Sequence, residues 1–283
     1  MIDLHCHILS GLDDGAKTLE ESLQMCLLSY RDGVRTIVAT PHILKGIFEN
    51  NRGMILSKVL ELEKAIKEFG VFGSEVEIQS KKMGSKDPFK AKDHTDQINQ
   101  KYSKDKIDLR IFPGADVHFS EDLLSELESG HLITVGDGGK FIFIEFPFQS
   151  IPYGAEGILF QLLARGIIPI ITHPERNLEV AQRPKRYYEM IRMGCLGQVT
   201  AMSLTGEFGP RVREVAERLL RHNLFHFIAS DAHSVNGRPP FLSSAVKSAS
   251  RIVGKEEALR MVTDYPQAIL NGKRPDFREP LTL

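Results

Sequence analysis

Two closely spaced pairs of side chains in this sequence have the types and the spacing of metal ligands. His5 and His7 stand two residues apart near the start, and Asp231 and His233 do the same near the end. Side chains at positions i and i+2 of a β-strand point to the same face, so each pair can be aimed into one cavity. Imidazole and carboxylate together suit zinc, manganese or iron. The two pairs therefore predict a metal site.

Further side chains of ligand type recur where other predicted strands end. A single histidine in such a place is more often structural than a ligand, but six strand ends that carry ligand types favour one shared site. Several carboxylates favour a multinuclear site, because bridging carboxylates offset the repulsion between neighbouring cations. The further candidates are Asp14 after the first strand, then His42, Asp116, Glu145 and His173, the last followed closely by Arg176.

The strands that would position these side chains are predicted from apolar runs, each followed by a stretch of helical periodicity. This alternation indicates repeated βα units around a parallel sheet. In an α/β barrel the carboxyl ends of the strands meet at one rim, where catalytic groups lie. We predict strands at 2–7, 36–40, 109–115, 141–146, 167–172, 196–200 and 225–230. We predict helices at 19–31, 55–69, 121–127, 153–165, 184–193, 210–221 and 239–252, with a short one at 265–270.

Length and composition favour a single domain. The chain has 283 residues, of which 42% are hydrophobic and 26% charged, and one α/β barrel routinely takes about 250 residues. We therefore expect one barrel domain over residues 1–283. A polar, lysine-rich segment at about 71–107 interrupts the βα rhythm, with eight Lys and four Asp between residues 81 and 106. A segment this long and polar predicts a solvated insertion.

Charge and motif content exclude several classes of function. The formal net charge of −1 does not fit a nucleic-acid-binding protein, which normally has a strongly basic surface. The chain starts without a signal-peptide pattern and has no apolar run of about 18 residues, so we expect a cytoplasmic protein without membrane insertion. None of the three cysteines is followed six residues later by arginine. A cysteine-dependent phosphatase is thereby excluded.

The motifs together resemble those of the polymerase-and-histidinol-phosphatase (PHP) superfamily. Within it they are most similar to the bacterial manganese-dependent protein-tyrosine phosphatases of capsule and exopolysaccharide operons. The resemblance runs almost end to end and leaves out only the lysine-rich insertion and the last residues. It is carried by Ile2-Asp3-Leu4-His5-Cys6-His7, Leu12-Asp13-Asp14-Gly15, residues 33–42, Phe143-Ile144-Glu145-Phe146, Thr172-His173-Pro174-Glu175-Arg176, Ala229-Ser230-Asp231-Ala232-His233 and Arg238-Pro239-Pro240.

The resemblance implies a distorted TIM-like (β/α)7 barrel with three divalent metal ions. Manganese is the first choice, with iron and zinc as alternatives. The implied ligands are His5, His7, Asp116 and Asp231 for the first ion, Asp116, Glu145 and His173 for the second, and Asp14, His42 and His233 for the third. Asp116 stands where this branch usually has a glutamate, so its reach is one methylene shorter. His118, two residues further on, can point into the same cavity.

The resemblance also implies an activity: hydrolysis of phosphotyrosine by attack of a metal-activated water. Arg176 and Arg238 would grip the phosphate, and His42 would belong to the catalytic residues as well as to the ligands. The implied substrate is the phosphotyrosine tail of a bacterial tyrosine kinase of polysaccharide export. Two other functions remain open from the residues alone. One is a small-molecule phosphatase such as histidinol-phosphatase, and the other is a metal-binding barrel without catalysis.

Overall fold

The computed structural model of the protein describes residues 1–72 and 107–283. The predicted insertion at about 71–107 falls almost entirely between these ranges, so what we expect of it lies outside the described residues. In the rest of the chain, the buried hydrophobic side chains form one continuous core. No helix within the described ranges is both long enough and apolar enough to cross a membrane.

Within the described residues, nine short strands form two parallel sheets. The smaller sheet has the order β1-β2-β4, and the larger has the order β3-β5-β6-β7-β8-β9. Most central strands are buried on both faces, as expected for a parallel sheet covered by helices. The strands are β1 (Ile2–Cys6), β2 (Thr36–Ala39), β3 (His42–Ile43), β4 (Arg110–Pro113), β5 (Asp116–His118), β6 (Phe141–Glu145), β7 (Ile168–Thr172), β8 (Leu196–Thr200) and β9 (Phe227–Ala229).

Two of the seven predicted strands are each broken into two pieces. The strand predicted at 36–40 ends at Ala39, and pairing resumes at His42 in the other sheet. Pro41 lies in the gap and has no N–H to donate to a ladder. The strand predicted at 109–115 breaks at Gly114, where a Cβ atom would stand 2.8 Å from a methyl of Val38. The two breaks lie side by side, and the chain changes sheet at both.

The expected closed barrel is not present as one continuous ladder in the described residues. All seven strand pairings are parallel, which confirms an α/β fold with parallel sheets. Between β9 and β1 the backbone pairing within the described residues is an isolated bridge of Cys6 with Ala232. Two backbone hydrogen bonds flank it, from His7 to Ala232 at 2.9 Å and from Asp231 to His5 at 2.8 Å. The Asp3 carboxylate in β1 also accepts from the Ser230 N–H at 2.9 Å. The first and last strands are therefore in contact without forming a regular ladder.

Helices follow most of the strands, close to the predicted positions. Thr18 caps α1 by accepting a hydrogen bond from the Glu21 N–H at 3.2 Å, and the Glu21 carboxylate accepts from the Lys17 N–H at 2.8 Å. Five short helical segments in the described residues were not predicted: Val135–Asp137, Pro174–Arg176, Leu178–Gln182, Ala201–Thr205 and Lys255–Arg260. The helices are α1 (Leu19–Arg31), α2 (Arg52–Phe72), α3 (Leu123–Glu128), α4 (Ala155–Ala164), α5 (Leu178–Gln182), α6 (Lys185–Met193), α7 (Ala201–Thr205), α8 (Pro210–Arg221), α9 (Ser243–Val253), α10 (Lys255–Arg260) and α11 (Asp264–Leu270), with 3-10 turns at Val135–Asp137 and Pro174–Arg176.

Candidate metal centre

The carboxyl ends of the strands bring all nine predicted ligands into one cluster. Each of them lies within 4 Å of at least one other member, measured between a ring nitrogen and a carboxylate oxygen. Three groups have ligand atoms that all lie within 4.8 Å of one another. These groups are His7, Asp14, His42 and His233; His5, His7 and Asp116; and His42, Asp116 and Glu145. Side chains that are distant in the sequence can therefore share ions here.

One buried oxygen stands at the middle of the cluster. Asp116 is fully buried, and its Oδ1 accepts a hydrogen bond from the Thr172 hydroxyl at 3.0 Å. Its Oδ2 finds no hydrogen-bond partner within the described part of the chain. The same oxygen lies 3.6 Å from a ring nitrogen of His5, of His42 and of His173. Two ligands about 2.1 Å from one cation lie about 3–4 Å apart, so the donor set fits bound metal.

The histidine rings are held with one nitrogen turned toward the cluster. The Nδ1 atoms of three rings face oxygen atoms that are not among the predicted ligand atoms: His5 faces Gln198 Oε1 at 3.0 Å, His7 faces Asp13 Oδ2 at 2.7 Å, and His233 faces the Asp231 backbone carbonyl at 2.9 Å. Because an acceptor at Nδ1 keeps the proton there, the Nε2 lone pair is left for a cation.

Burial and neighbouring charge give His5 and His7 opposite electrostatic character. Burial lowers the pKa of His5 to about 4, although Asp116 and Asp231 act in the other direction. Burial also disfavours the charged form of His7, but the carboxylates of Asp13 and Asp231 together outweigh it and raise the pKa of His7 to about 10. Burial thus favours the neutral ring at His5, whereas the neighbouring carboxylates stabilise positive charge at His7, as they would a bound cation.

Two of the predicted ligand positions have a left-handed backbone that residues other than glycine rarely adopt. His173 follows β7 with φ of 34°, and Asp231 follows β9 with φ of 52°. Such conformations cost free energy and collect at functional sites, where they aim a side chain that a regular strand would turn elsewhere. The sharp turn after each strand is thus part of how these two ligands reach the cluster.

The two predicted phosphate-binding arginines converge on the edge of the cluster. Arg176 Nη1 donates to Asp231 Oδ2 at 2.6 Å, and Arg238 Nη2 donates to the same oxygen. Both guanidinium groups lie against the ring of Phe208, with their central carbons 5.1 and 5.7 Å from its centroid. Burial opposes the charge of Asp231, but Arg238 above all holds the pKa of that carboxyl well below its usual range. A compact positive site results, next to the ligands.

Several residues that support the site were missed from the sequence. Asp13 has no predicted role, although it stands beside Asp14 in the sequence. Its carboxylate accepts from the His7 ring at 2.7 Å and from the His42 backbone N–H at 2.9 Å. Gln198 and Phe208 are not of ligand type, and nothing in their spacing marks them. His118 is not in the three groups of close ligand atoms; its Nδ1 lies 3.5 Å from Glu145 Oε2.

The turn that carries His173 and Arg176 is anchored by a buried carboxylate between them. Glu175 is 1% exposed and accepts from the Thr200 N–H at 3.0 Å and from the Ser203 hydroxyl at 2.6 Å. Burial raises the pKa of the Glu175 carboxyl, while these hydrogen bonds act against that shift. The sequence showed Glu175 as part of a motif, but only the fold shows that it ties the turn to β8 and α7.

Comparison with known proteins gives consistent matches over nearly the whole chain. The family described as "Capsular polysaccharide synthesis, CpsB/CapC" matches residues 1–78 and 77–271. "Tyrosine-protein phosphatase YwqE" of Bacillus subtilis is 32% identical over 280 residues, which are 99% of this chain and 95% of the relative. "Tyrosine-protein phosphatase CpsB" of Streptococcus agalactiae serotype III is 34% identical over 275 residues, 95% of this chain and 98% of the relative.

A solved structure resembles the fold over its full length. It is described as "Crystal structures of YwqE from Bacillus subtilis and CpsB from Streptococcus pneumoniae, unique metal-dependent tyrosine phosphatases". The TM-score is 0.83 at 30% identity, and the match covers 100% of this chain and 99% of the other. Both the sequence and the backbone are therefore similar to proteins described as tyrosine phosphatases.

Proposed function

Because the chain belongs to the CpsB/CapC family of capsular polysaccharide synthesis, we propose that it is a metal-dependent protein-tyrosine phosphatase. Relatives that match it over 95% or more of its length are named as tyrosine-protein phosphatases. The observation that carries the proposal is the Asp116 Oδ2 atom, which has no hydrogen-bond partner in the described part of the chain and lies among three imidazoles, with a pair of arginines at the edge of the same cluster. The proposed ligands for cations and the proposed donors for a phosphate thus lie side by side.

The proposed cofactor is three divalent ions, with manganese as the first choice and iron or zinc as alternatives. Mixed imidazole and carboxylate ligands suit all three metals. The proposed ligand sets are His5, His7, Asp116 and Asp231; Asp116, Glu145 and His173; and Asp14, His42 and His233. Distances support these sets: His173 Nε2 lies 3.5 Å from Glu145 Oε1, and His233 Nε2 lies 3.5 Å from Asp14 Oδ1.

The role of the arginines follows from their remaining N–H groups. Each guanidinium uses one N–H on Asp231, and a guanidinium has five N–H donors. Free donors that are already held in position can neutralise the phosphoryl oxygens as charge develops on them. Arg176 and Arg238 are therefore the proposed phosphate clamp.

The remaining chemistry is the activation of water and the neutralisation of charge, which the ions would supply, and His42 lies at the open side of the cluster. Divalent cations held here would supply Lewis acidity, which acidifies an attacking water and neutralises charge on phosphoryl oxygens. The His42 side chain is 13% exposed, whereas those of His5 and His7 are fully buried, so His42 lies at the open side of the cluster. A phenol of pKa about 10 leaves more readily than an alcohol, so a strong general acid is helpful rather than essential.

The same proposal extends to the architecture and the setting of the protein. We propose that the two sheets form one distorted (β/α)7 barrel over residues 1–283, in which β2 with β3 and β4 with β5 each count as one strand. The bridge between Cys6 and Ala232 supports this reading because it brings the last strand against the first. The proposed substrate is the phosphotyrosine tail of a bacterial tyrosine kinase of polysaccharide export, and the proposed location is the cytoplasm.

A comparison of substrates tests the activity. Initial rates of phosphate release are measured on a phosphotyrosine peptide and on histidinol phosphate, with manganese and after chelation. The proposal expects manganese-dependent release that is faster from the peptide. Faster release from histidinol phosphate would identify a small-molecule phosphatase. No release from either substrate by protein that carries metal would identify a binding protein without catalysis.

A further inference from the structure

A cleft of about 60 Å³ opens beside the proposed metal centre and is lined by two chemically different sets of side chains. Glu145, His173 and Arg176 belong to the site already described, and we call this set the charged end of the cleft. Phe146, Phe148 and Pro174 are apolar, and we call them the apolar end. A ligand that contacts both sets carries an anionic group on an apolar body.

Phe148 is the unusual residue of this cleft, because a large aromatic side chain is 60% exposed there. Its neighbour Phe146 is buried and packs on Phe119, with ring centroids 5.7 Å apart. Phe146 therefore forms the floor of the apolar end, and Phe148 forms its rim. Exposed apolar surface next to convergent polar groups is the usual appearance of a ligand site.

The backbone around Phe148 is held to the turn that carries the catalytic groups. The Phe148 carbonyl accepts from the Leu178 N–H at 2.9 Å, and the Pro147 carbonyl accepts from the Asn177 side-chain amide at 2.8 Å. Asn177 follows Arg176 directly and also caps α5 by accepting from the Val180 N–H at 3.0 Å. The rim and the arginine are therefore parts of one fixed unit.

We propose that this cleft receives the phenyl ring of the phosphotyrosine side chain, with Phe148 as a specificity-determining residue that flanks the ring. The inference rests on the proposed function, since it takes the phosphate to lie at Arg176 and Arg238. The cleft shares Arg176 with the clamp, so a ring attached to that phosphate enters the cleft directly. An alkyl phosphate occupies the charged end alone and leaves Phe148 without a partner.

Two phosphonates that cannot be hydrolysed separate the ring from the phosphate. Methylphosphonate reports on the charged end alone, and benzylphosphonate adds the ring. Their dissociation constants are measured by calorimetry on the manganese-loaded protein. The wild type should bind benzylphosphonate at least about tenfold more tightly. Phe148→Ala should reduce that ratio by about 3- to 10-fold, the range expected for loss of one aromatic pair. Methylphosphonate should bind both proteins equally.

Phe160→Ala is the matched control. Phe160 is also 60% exposed, but it lies on α4 and does not line the cleft. Its removal should leave the ratio unchanged, and Phe148→Tyr should preserve it because an aromatic face remains. A wild-type ratio near one, or a Phe148→Ala ratio equal to that of the wild type, would overturn the inference while leaving the phosphatase proposal intact. Failure of methylphosphonate to bind the wild type would overturn both.

Discussion

At the scale of single residues, the site depends on carboxylates whose two oxygens have different partners. Asp116 gives one oxygen to the Thr172 hydroxyl and turns the other toward three imidazoles. Asp231 turns Oδ1 toward His7 Nε2 at 3.4 Å and Oδ2 toward the two arginines. This division holds each carboxylate in one orientation, and in Asp231 it joins the proposed metal ligands to the proposed phosphate clamp.

Asp13 shows how a residue outside the ligand set can control metal binding. Its carboxylate fixes the His7 ring at 2.7 Å and the His42 backbone N–H at 2.9 Å. Loss of such a partner typically weakens metal affinity by about 10- to 100-fold. We expect Asp13→Ala to raise the manganese concentration needed for half-maximal activity by that factor, with activity recovered at saturating metal.

The control for Asp13 is Asp108→Ala, which removes an exposed carboxylate just before β4, at the other end of a strand. Its manganese requirement should equal that of the wild type. A normal requirement in Asp13→Ala as well would mean that the His7 ring needs no partner to bind metal. Activity lost at every manganese concentration would instead give Asp13 a direct part in the reaction.

Arg176 is expected to act on the reaction rather than on metal binding. Removal of one preorganised donor to a developing charge costs about 100- to 1000-fold in turnover. Arg176→Ala should therefore lower kcat on an aryl phosphate by that amount, while elemental analysis finds the metal content unchanged. Arg183→Ala, which removes an exposed arginine after α5, should have wild-type kcat. If Arg176→Ala kept kcat within a few-fold, the arginine would be a structural partner of Asp231 only.

At the scale of the elements, the strands were easier to predict than their interruptions. Hydrophobic runs revealed β1, β6, β7 and β8 to within two residues, because strands buried on both faces must be apolar throughout. The breaks after Ala39 and Pro113 depend on contacts between two chain segments that are distant in sequence. Local periodicity contains no information about such contacts.

Close approach of the chain also fixes Gly197 in β8. A Cβ atom at this position would overlap the Tyr187 hydroxyl and would stand 2.5 Å from the Leu224 carbonyl oxygen. Because a backbone oxygen cannot rotate away, Gly197→Ala should lower the free energy of unfolding by about 1–3 kcal/mol, as overpacked cores do. Denaturant unfolding in the presence of a chelator measures this without a contribution from bound metal.

Gly157→Ala provides the opposite case. Gly157 is exposed within α4, and a Cβ atom there would meet nothing within 4 Å. Replacing glycine by alanine in an exposed helix should raise the free energy of unfolding by about 0.5–1 kcal/mol.

For Gly197→Ala, a stability equal to that of the wild type would contradict the prediction. It would mean that the packing of α6 against β8 is looser than the structure shows.

At the scale of the whole molecule, the fold class and the cluster were predictable from the sequence, but the support around them was not. Ligand-type residues at six strand ends indicated one rim, since parallel strands deliver their carboxyl ends to the same side. The nine predicted ligands do lie together. The orienting contacts of Gln198, Glu175 and Phe208 arise from side chains of ordinary type, so nothing local distinguished them. Segment 73–106 lies outside the described residues.

We propose that several ions held by this cluster carry out the hydrolysis of phosphotyrosine. One titration tests this proposal: manganese is added stepwise to metal-free protein, and phosphate release from a phosphotyrosine peptide is followed against the number of ions bound per chain. More donors are present than one centre of six ligands can use, so activity should keep rising beyond the first equivalent. Full activity at one equivalent or fewer, or release that needs no metal, would contradict it.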